Sequence, residues 1–292
     1  MKPKTMADYR SLFWALVLLP AMPLLHFWVP ELSLWLLPAS VYLAYCVGVL
    51  THNHNHTAMF SSRRANTAYS MWLSVFYGFP IFSWIPTHNQ NHHRYANGEG
   101  DRARTEEHAP QPGLLAALTY PFFCSRRQAS LVAGYVLARL RGQRGGAASV
   151  LLQCGAVVFA HAGAALLAIT YHGTRRGLLV YGLGLGLPAA LAPWSMMFTN
   201  YLQHAGCDPT SRDNHSRNFV SGWVNWWVFD AGYHTVHHEQ PGAHWSRLRA
   251  LHAERAARIH PSLNQHSVVL FCLQLAFRRA SLTDAATARQ AQ

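Results

Sequence analysis

Four apolar stretches, at residues 11–29, 33–51, 150–171 and 178–199, come close to the roughly 20 residues a helix needs to cross a bilayer. A chain carrying them has few choices, because backbone in hydrocarbon must satisfy its own hydrogen bonds and only helices or closed barrels do so. The turns inside the two pairs are short, residues 30–32 and 172–177, whereas the segments between and after the pairs are long and polar. The expectation is an all-α integral membrane protein: four transmembrane helices in two hairpins, with a large helical cap outside the bilayer. Composition agrees, with 50% hydrophobic and only 12% charged residues. A mean hydropathy of +0.01 is too low for a chain lying wholly in lipid, so part of it must stand in water.

Orientation follows from Lys and Arg. Three precede the first stretch, ten lie in 52–149 and nine follow residue 200, against two, Arg175 and Arg176, in the turn 172–177. The positive-inside tendency makes the rich side, with both termini, cytoplasmic. The formal charge of +12 is then a matter of topology and anionic lipid, and no basic run interleaved with aromatics suggests nucleic acid. The first stretch is broken by Pro20, Pro23 and His26 and is followed by no small-residue cleavage site, so it reads as a span and not as a signal peptide. Five scattered cysteines without a CxxC read as reduced thiols.

Residues 69–86 are apolar but contain Gly78, Pro80 and Pro86, and a full crossing there would put the next motif on the opposite face. They are expected to be re-entrant or interfacial. Residues 219–229 are too short to cross, and Trp223, Trp226 and Trp227 suit the headgroup region. Residues 267–277 are similarly short. The sequence reads as one domain over 1–280 with a disordered tail over 281–292, and no internal repeat is evident.

Nineteen histidines are clustered, not scattered. HNHNH occupies 52–56, HNQNHH 88–93 and HTVHH 234–238, while Asn200 and His204 follow the fourth stretch. All fall on the side expected to be cytoplasmic. Residues four apart share a helix face, so His52 with His56, His88 with His92, Asn200 with His204, and His234 with His238 can each converge on one point. Neighbours in the doublets His92-His93 and His237-His238 point about 100° apart, so one doublet can serve two metals.

Imidazole suits several transition metals. His52, His56, His88, His92, His93, His204, His234, His237 and His238 make nine candidate ligands, more than two closed zinc sites would use at about four each. Two five- or six-coordinate metals with open positions fit better, which points to iron and dioxygen. Glu99, Asp101, Asp208, Asp213, Asp230 and Glu239 lie near the clusters and are candidates for orienting the ligands. His54 either replaces a neighbour as ligand or faces solvent. His26, His161 and His172 read as packing or interfacial residues, and His108, His215, His244, His252, His260 and His266 as solvated or structural.

The three boxes, in this order and around two membrane hairpins, resemble those of the membrane-bound fatty acid desaturases, over roughly residues 45–250. The resemblance implies a transmembrane stem and a cytosolic cap holding a di-metal site of two non-haem irons. It implies the nine histidines as ligands, with Asn200 reaching a metal through water. It also implies dioxygen as co-substrate and an acyl chain linked to CoA, carrier protein or lipid. No HPGG haem motif occurs, so electrons are expected from an external donor such as ferredoxin or cytochrome b5. Box two departs from the commoner pattern, with three residues before its doublet where many desaturases have two. A hydroxylase or carotenoid ketolase would use similar boxes. A histidine-rich metal transporter would place ligands and carboxylates inside the spans, where Asp and Glu are absent. No HExxH occurs to suggest a zinc protease.

Overall fold

A computed structural model describes residues 2–143 and 146–277 of the chain; the tail expected to be disordered from residue 281 lies outside the described residues. Helices dominate. In chain order they are α1 (Asp8–Trp28), α2 (Pro30–His56), α3 (Arg63–Tyr77), α4 (Leu114–Leu140), α5 (Ala148–His172), α6 (Thr174–His204), α7 (Gly222–Trp227), α8 (His234–Glu239), α9 (Leu248–Arg255) and α10 (Val268–Phe277). The segment Ile85–His92 is a π-helix, and Asn218–Phe219 pairs in parallel with Asn264–Gln265, with Asn218 opposite Asn264. Helices α1, α2, α5 and α6 are each long and apolar enough to cross a membrane.

Both α2 and α6 outlast their apolar runs. The runs end near residues 51 and 199, but the helices continue to His56 and His204, so the first histidine box and the Asn200–His204 pair are last turns of the spanning helices. Hydropathy marks where a helix leaves hydrocarbon, and the Asn and His residues beyond that point do not break it. The sequence reading passed over the 27-residue α4, whose interior Pro121 and the Arg126-Arg127 pair disguise an otherwise apolar periodicity.

The described chain divides into two compact units. One contains residues up to Pro86 together with Ser130–Met196, and the other contains Thr87–Ala129 and the residues from Met197 onward. In the first unit α1 packs on α2 and α5 on α6, which are the two expected hairpins. Their short turns meet, because Arg176 forms an ion pair with Glu31. Exposed Trp28, Trp35 and Tyr171 flank these turns, as aromatic residues do at a membrane interface. Two histidines inside the unit find polar partners: His26 Nε2 lies 3.0 Å from Ser40 Oγ, and His161 contacts Tyr181 Oη and the Val75 carbonyl at 3.0 and 2.9 Å. Among the residues expected to be re-entrant, α3 ends at Gly78 in a left-handed conformation (φ 71°). The buried Gln153 side chain then accepts from Phe82 N at 3.0 Å and from Ser74 Oγ at 3.2 Å.

In the second unit, Ala117, Tyr120 and Cys124 of α4 pack with Tyr201, Leu202, Phe219, Phe271 and Leu275. Arg217 donates to the Leu202 and Ala205 carbonyls at 2.6 and 3.2 Å and so caps the C-terminus of α6, while its guanidinium lies 4.2 Å from the centre of the Phe271 ring.

Helix association in lipid relies on close van der Waals contact, which small residues allow. Gly177 of α6 is such a contact, since a Cβ there would lie 2.5 Å from the Ala168 carbonyl oxygen and from Ile169 backbone atoms, none of which can yield cheaply. Gly177→Val should therefore cost about 1–3 kcal/mol or more. Gly163→Ala, in α5 with nothing within 4 Å of its Cβ position, should be neutral or stabilising. Thermal midpoints in detergent would separate the two.

Candidate metal centre

The second unit gathers seven of the nine candidate histidines. His92, His204, His234 and His238 form one group, with potential ligand atoms all within 4.8 Å of one another. Within it the Nε2 atoms of His204, His234 and His238 form a triangle with sides of 2.9, 3.1 and 3.1 Å. His88, His93 and His237 form a second group: Nε2 of His93 lies 3.1 Å from that of His88 and 3.0 Å from that of His237. The two groups adjoin, with the His93 and His238 rings 4.5 Å apart. Both doublets are divided, His92 and His238 to one group and His93 and His237 to the other, as their angular offset predicts.

The partner of His88 differs from the sequence expectation. A four-residue spacing joins His88 to His92 on an α-helix, but Ile85–His92 is a π-helix, whose i→i+5 repeat carries His88 to His93. The extra residue in box two is thereby absorbed. His52 and His56, in the first unit, share a face on the last turn of α2, with ring centres 4.7 Å apart. His54 points elsewhere: it is buried, its Nε2 is 3.2 Å from Ser70 Oγ, and its Nδ1 accepts from Met59 N at 3.4 Å.

Hydrogen bonding fixes which nitrogens face the centre. The His92 Nδ1 lies 2.7 Å from the Asp101 carboxylate, which is 0% exposed and also accepts from Asn97 N at 2.8 Å and Ala103 N at 2.7 Å. A carboxylate accepting two backbone N–H bonds is ionised, so a proton is held on Nδ1, and Nε2 is the nitrogen left to face a metal. That Nε2 is buried and has no hydrogen-bond partner. The same logic holds at His204, whose Nδ1 donates to the His215 carbonyl at 3.3 Å and leaves Nε2 unprotonated toward His234 and His238. Hydrogen bonds to the His204 Nε2 would need His234 or His238 to donate from Nε2, whereas a cation placed among these nitrogens would be held by all three lone pairs. With a metal–nitrogen bond of about 2.1 Å, ligands at right angles sit about 3.0 Å apart and tetrahedral ligands about 3.4 Å apart. The spacings of 2.9–3.1 Å match the right-angled case, so the donors fit a metal with more than four positions.

Local structure holds these groups in place. After box two the chain turns through Ala96 and Asn97, both left-handed (φ 42° and 67°), which returns Asp101 to His92. Asn91 locks that loop by donating to Gly100 O at 3.0 Å and accepting from Arg102 N at 2.8 Å. At α8, Asn218 accepts from Thr235 N and donates to Thr235 Oγ1, both at 2.9 Å, and so satisfies one of the orphan donors in the first turn of the helix. Asn225 ties the preceding turn by accepting from Gly232 N at 2.9 Å and donating to Phe219 O at 2.6 Å.

Among the six acidic candidates, Asp101 contacts His92. Asp230 pairs with Arg249, Glu239 and Asp213 with Arg255, and Asp208 binds Thr210 in a turn; Glu99 is exposed. Burial pushes the Asp101 carboxyl up, but the His92 imidazole and the two backbone N–H groups outweigh it and hold it below the ordinary range. His238 is held well below the usual imidazole range, first by burial and then by the imidazoles of His234, His204, His92 and His93. His215, expected to be solvated or structural, is buried with its ring 5.5 Å from that of His238, and burial lowers it too. Its nearness was not legible, because it depends on the loop after α6 folding back.

A family model described as fatty acid desaturase matches residues 26–268. No curated protein and no solved structure matches the chain.

Asp101→Asn should weaken metal retention by about 10–100-fold, measured as release to a chelator, while Glu99→Gln should leave it unchanged. A second consequence concerns the metal-free protein. His238 and His215 resist protonation in the fold but accept it when unfolded, so their contribution to stability is present above about pH 6.5 and is lost as pH falls below it. The thermal midpoint of the metal-free chain should drop between about pH 7 and pH 5.

Proposed function

The chain belongs to the fatty acid desaturase family, and on that premise we propose that it desaturates a fatty acyl chain with dioxygen at a centre of two non-haem irons. The observation that carries this reading is the pair of adjoining imidazole groups, whose 2.9–3.1 Å donor spacings suit ions with more than four positions and so leave room for dioxygen. His92, His204, His234 and His238 are the proposed ligands of one iron, and His88, His93 and His237 belong to the other. His52 and His56 complete the proposed set of nine, and Asn200 is proposed to act through water. Bound iron would supply dioxygen activation and the abstraction of hydrogen from an unactivated methylene.

The protein's own contribution is orientation and exclusion. Asp101 and the His215 carbonyl hold His92 and His204 in the tautomer that presents Nε2, so no proton has to leave these ligands when metal binds. Burial of His92, His204, His234 and His237 keeps bulk water from that part of the centre. The substrate class in this reading is an acyl chain carried by CoA, carrier protein or membrane lipid, and electrons come from an external donor such as ferredoxin or cytochrome b5. The histidine boxes and both termini are assigned to the cytoplasmic side from the Lys and Arg distribution, with four crossings.

Lipid and fatty-acid mass spectrometry of cells expressing the chain, against cells expressing a His237→Ala, His238→Ala double variant, tests the reaction. Species lighter by two hydrogens, absent with the variant, are expected. Species heavier by one oxygen would replace desaturation with hydroxylation at the same centre. An iron-loaded chain that changes no acyl species in the presence of a reductase system would overturn the acyl substrate.

A further inference from the structure

Tyr120 lies on α4 and takes no part in the ligand set, yet it is 0% exposed and its hydroxyl meets the Ala103 carbonyl, the Asn200 amide and the Cys124 thiol. Its oxygen is 2.5 Å from the Ala103 carbonyl oxygen and 3.1 Å from the Asn200 side-chain amide. A carbonyl has no proton to give, so the phenol must be the donor to Ala103. Burial, the first cause, together with Cys124 and Asp101, raises the phenol well above its ordinary range, so that proton is retained. Having spent its only hydrogen there, the Tyr120 oxygen can only accept, and Asn200 must offer it Nδ2. The two ends of an amide differ by a half-turn, so this choice directs Asn200 Oδ1 away from Tyr120. Asn200 sits one helical turn before His204.

The same residue links the arrangement to His92. Ala103 N donates to Asp101 Oδ1 at 2.7 Å, Asp101 Oδ2 holds His92 at 2.7 Å, and the Ala103 carbonyl receives the Tyr120 hydroxyl. The backbone of one residue therefore connects the carboxylate behind His92 to the tyrosine behind Asn200. Packing of the Tyr120 ring on Tyr201, with centres 5.2 Å apart, fixes where the hydroxyl sits.

We propose that Tyr120 is a positioning residue that holds the Asn200 amide with its oxygen available to the metal centre as a hydrogen-bond acceptor. The inference rests on the reading of the centre given above and adds to it a residue outside the histidine boxes. Without the hydroxyl, the two faces of the amide become nearly equivalent locally, and the acceptor is presented only part of the time.

The test uses the purified full chain loaded with ferrous iron, with release to a chelator as the readout and the metal-free thermal midpoint as a separate measure of folding. Tyr120→Phe keeps the ring and its contact with Tyr201, and should speed iron release by about tenfold, the lower end of the effect of groups supporting a ligand. Asn200→Ala should do at least as much, and the double variant should release no faster than Asn200→Ala alone. A carboxylate has an oxygen on both sides, so in an Asn200→Asp background the Tyr120→Phe change should have no effect on release. Iron release by Tyr120→Phe at the wild-type rate would overturn the proposal. So would an effect that multiplies with Asn200→Ala or persists with Asn200→Asp, because Tyr120 would then act through packing. A wild-type chain that retains no iron would instead overturn the reading of the centre itself.

Discussion

Imidazole nitrogens turned toward one another at about 3 Å are the constraint on which this structure depends. Three Nε2 atoms in mutual contact can share at most two N–H donors, and the His215 carbonyl, by taking the His204 Nδ1 proton, leaves the His204 Nε2 only to accept. Bringing them together without a cation costs free energy. The surroundings must therefore be stiff enough to hold them, which is why the chain around the ligands is rich in side chains bound to backbone. Asn91, Asn97, Asn218 and Asn225 each close a loop through both ends of their amides. Removing one leaves buried backbone groups without partners as well as a ligand without support.

Helix type is the second determinant. On an α-helix, His88 and His92 would share a face and would compete for one ion. The π-helix at Ile85–His92 advances the register by one residue, so that His88 meets His93 while His92 is released toward His204, His234 and His238. A single element thus supplies imidazoles to both groups. A π-helix is intrinsically less favourable than an α-helix, and its occurrence in the ligand-bearing segment is the usual association of such helices with functional sites.

The spans, their pairing and the identity of the histidine boxes were legible because each rests on a local pattern: length of an apolar run, brevity of a turn, spacing on a helix face. The partner of His88 was not, because spacing predicts a pair only once the helix type is known. Asp101 was one of six acidic residues with equal sequence credentials, and what distinguishes it is the left-handed turn at Ala96 and Asn97. Ala96 in that conformation has no signal in the sequence, unlike a glycine. Helix α4 was hidden by Pro121 and by two arginines in its middle, although the alternation of its buried Ala117, Tyr120 and Cys124 is helical in retrospect. These misses share a cause: each turns on a local backbone conformation that residue type and spacing do not specify.

The choice of imidazole over carboxylate follows from what the metal-free chain must survive. A chain with four helices able to cross a membrane has to fold before or as its centre is filled. A cluster of carboxylates would meet that stage as mutually repelling buried anions, or would take up protons that the metal must later displace. Buried imidazoles avoid both, since the same burial that lowers His238 keeps it neutral at ordinary pH with its lone pair available. Asp101 is set behind His92, where two backbone N–H groups and the imidazole N–H already stabilise its charge. Negative charge is thus placed where the fold can stabilise it unaided, and the face on which the imidazole nitrogens converge is built from neutral donors. A site of that kind can be assembled empty.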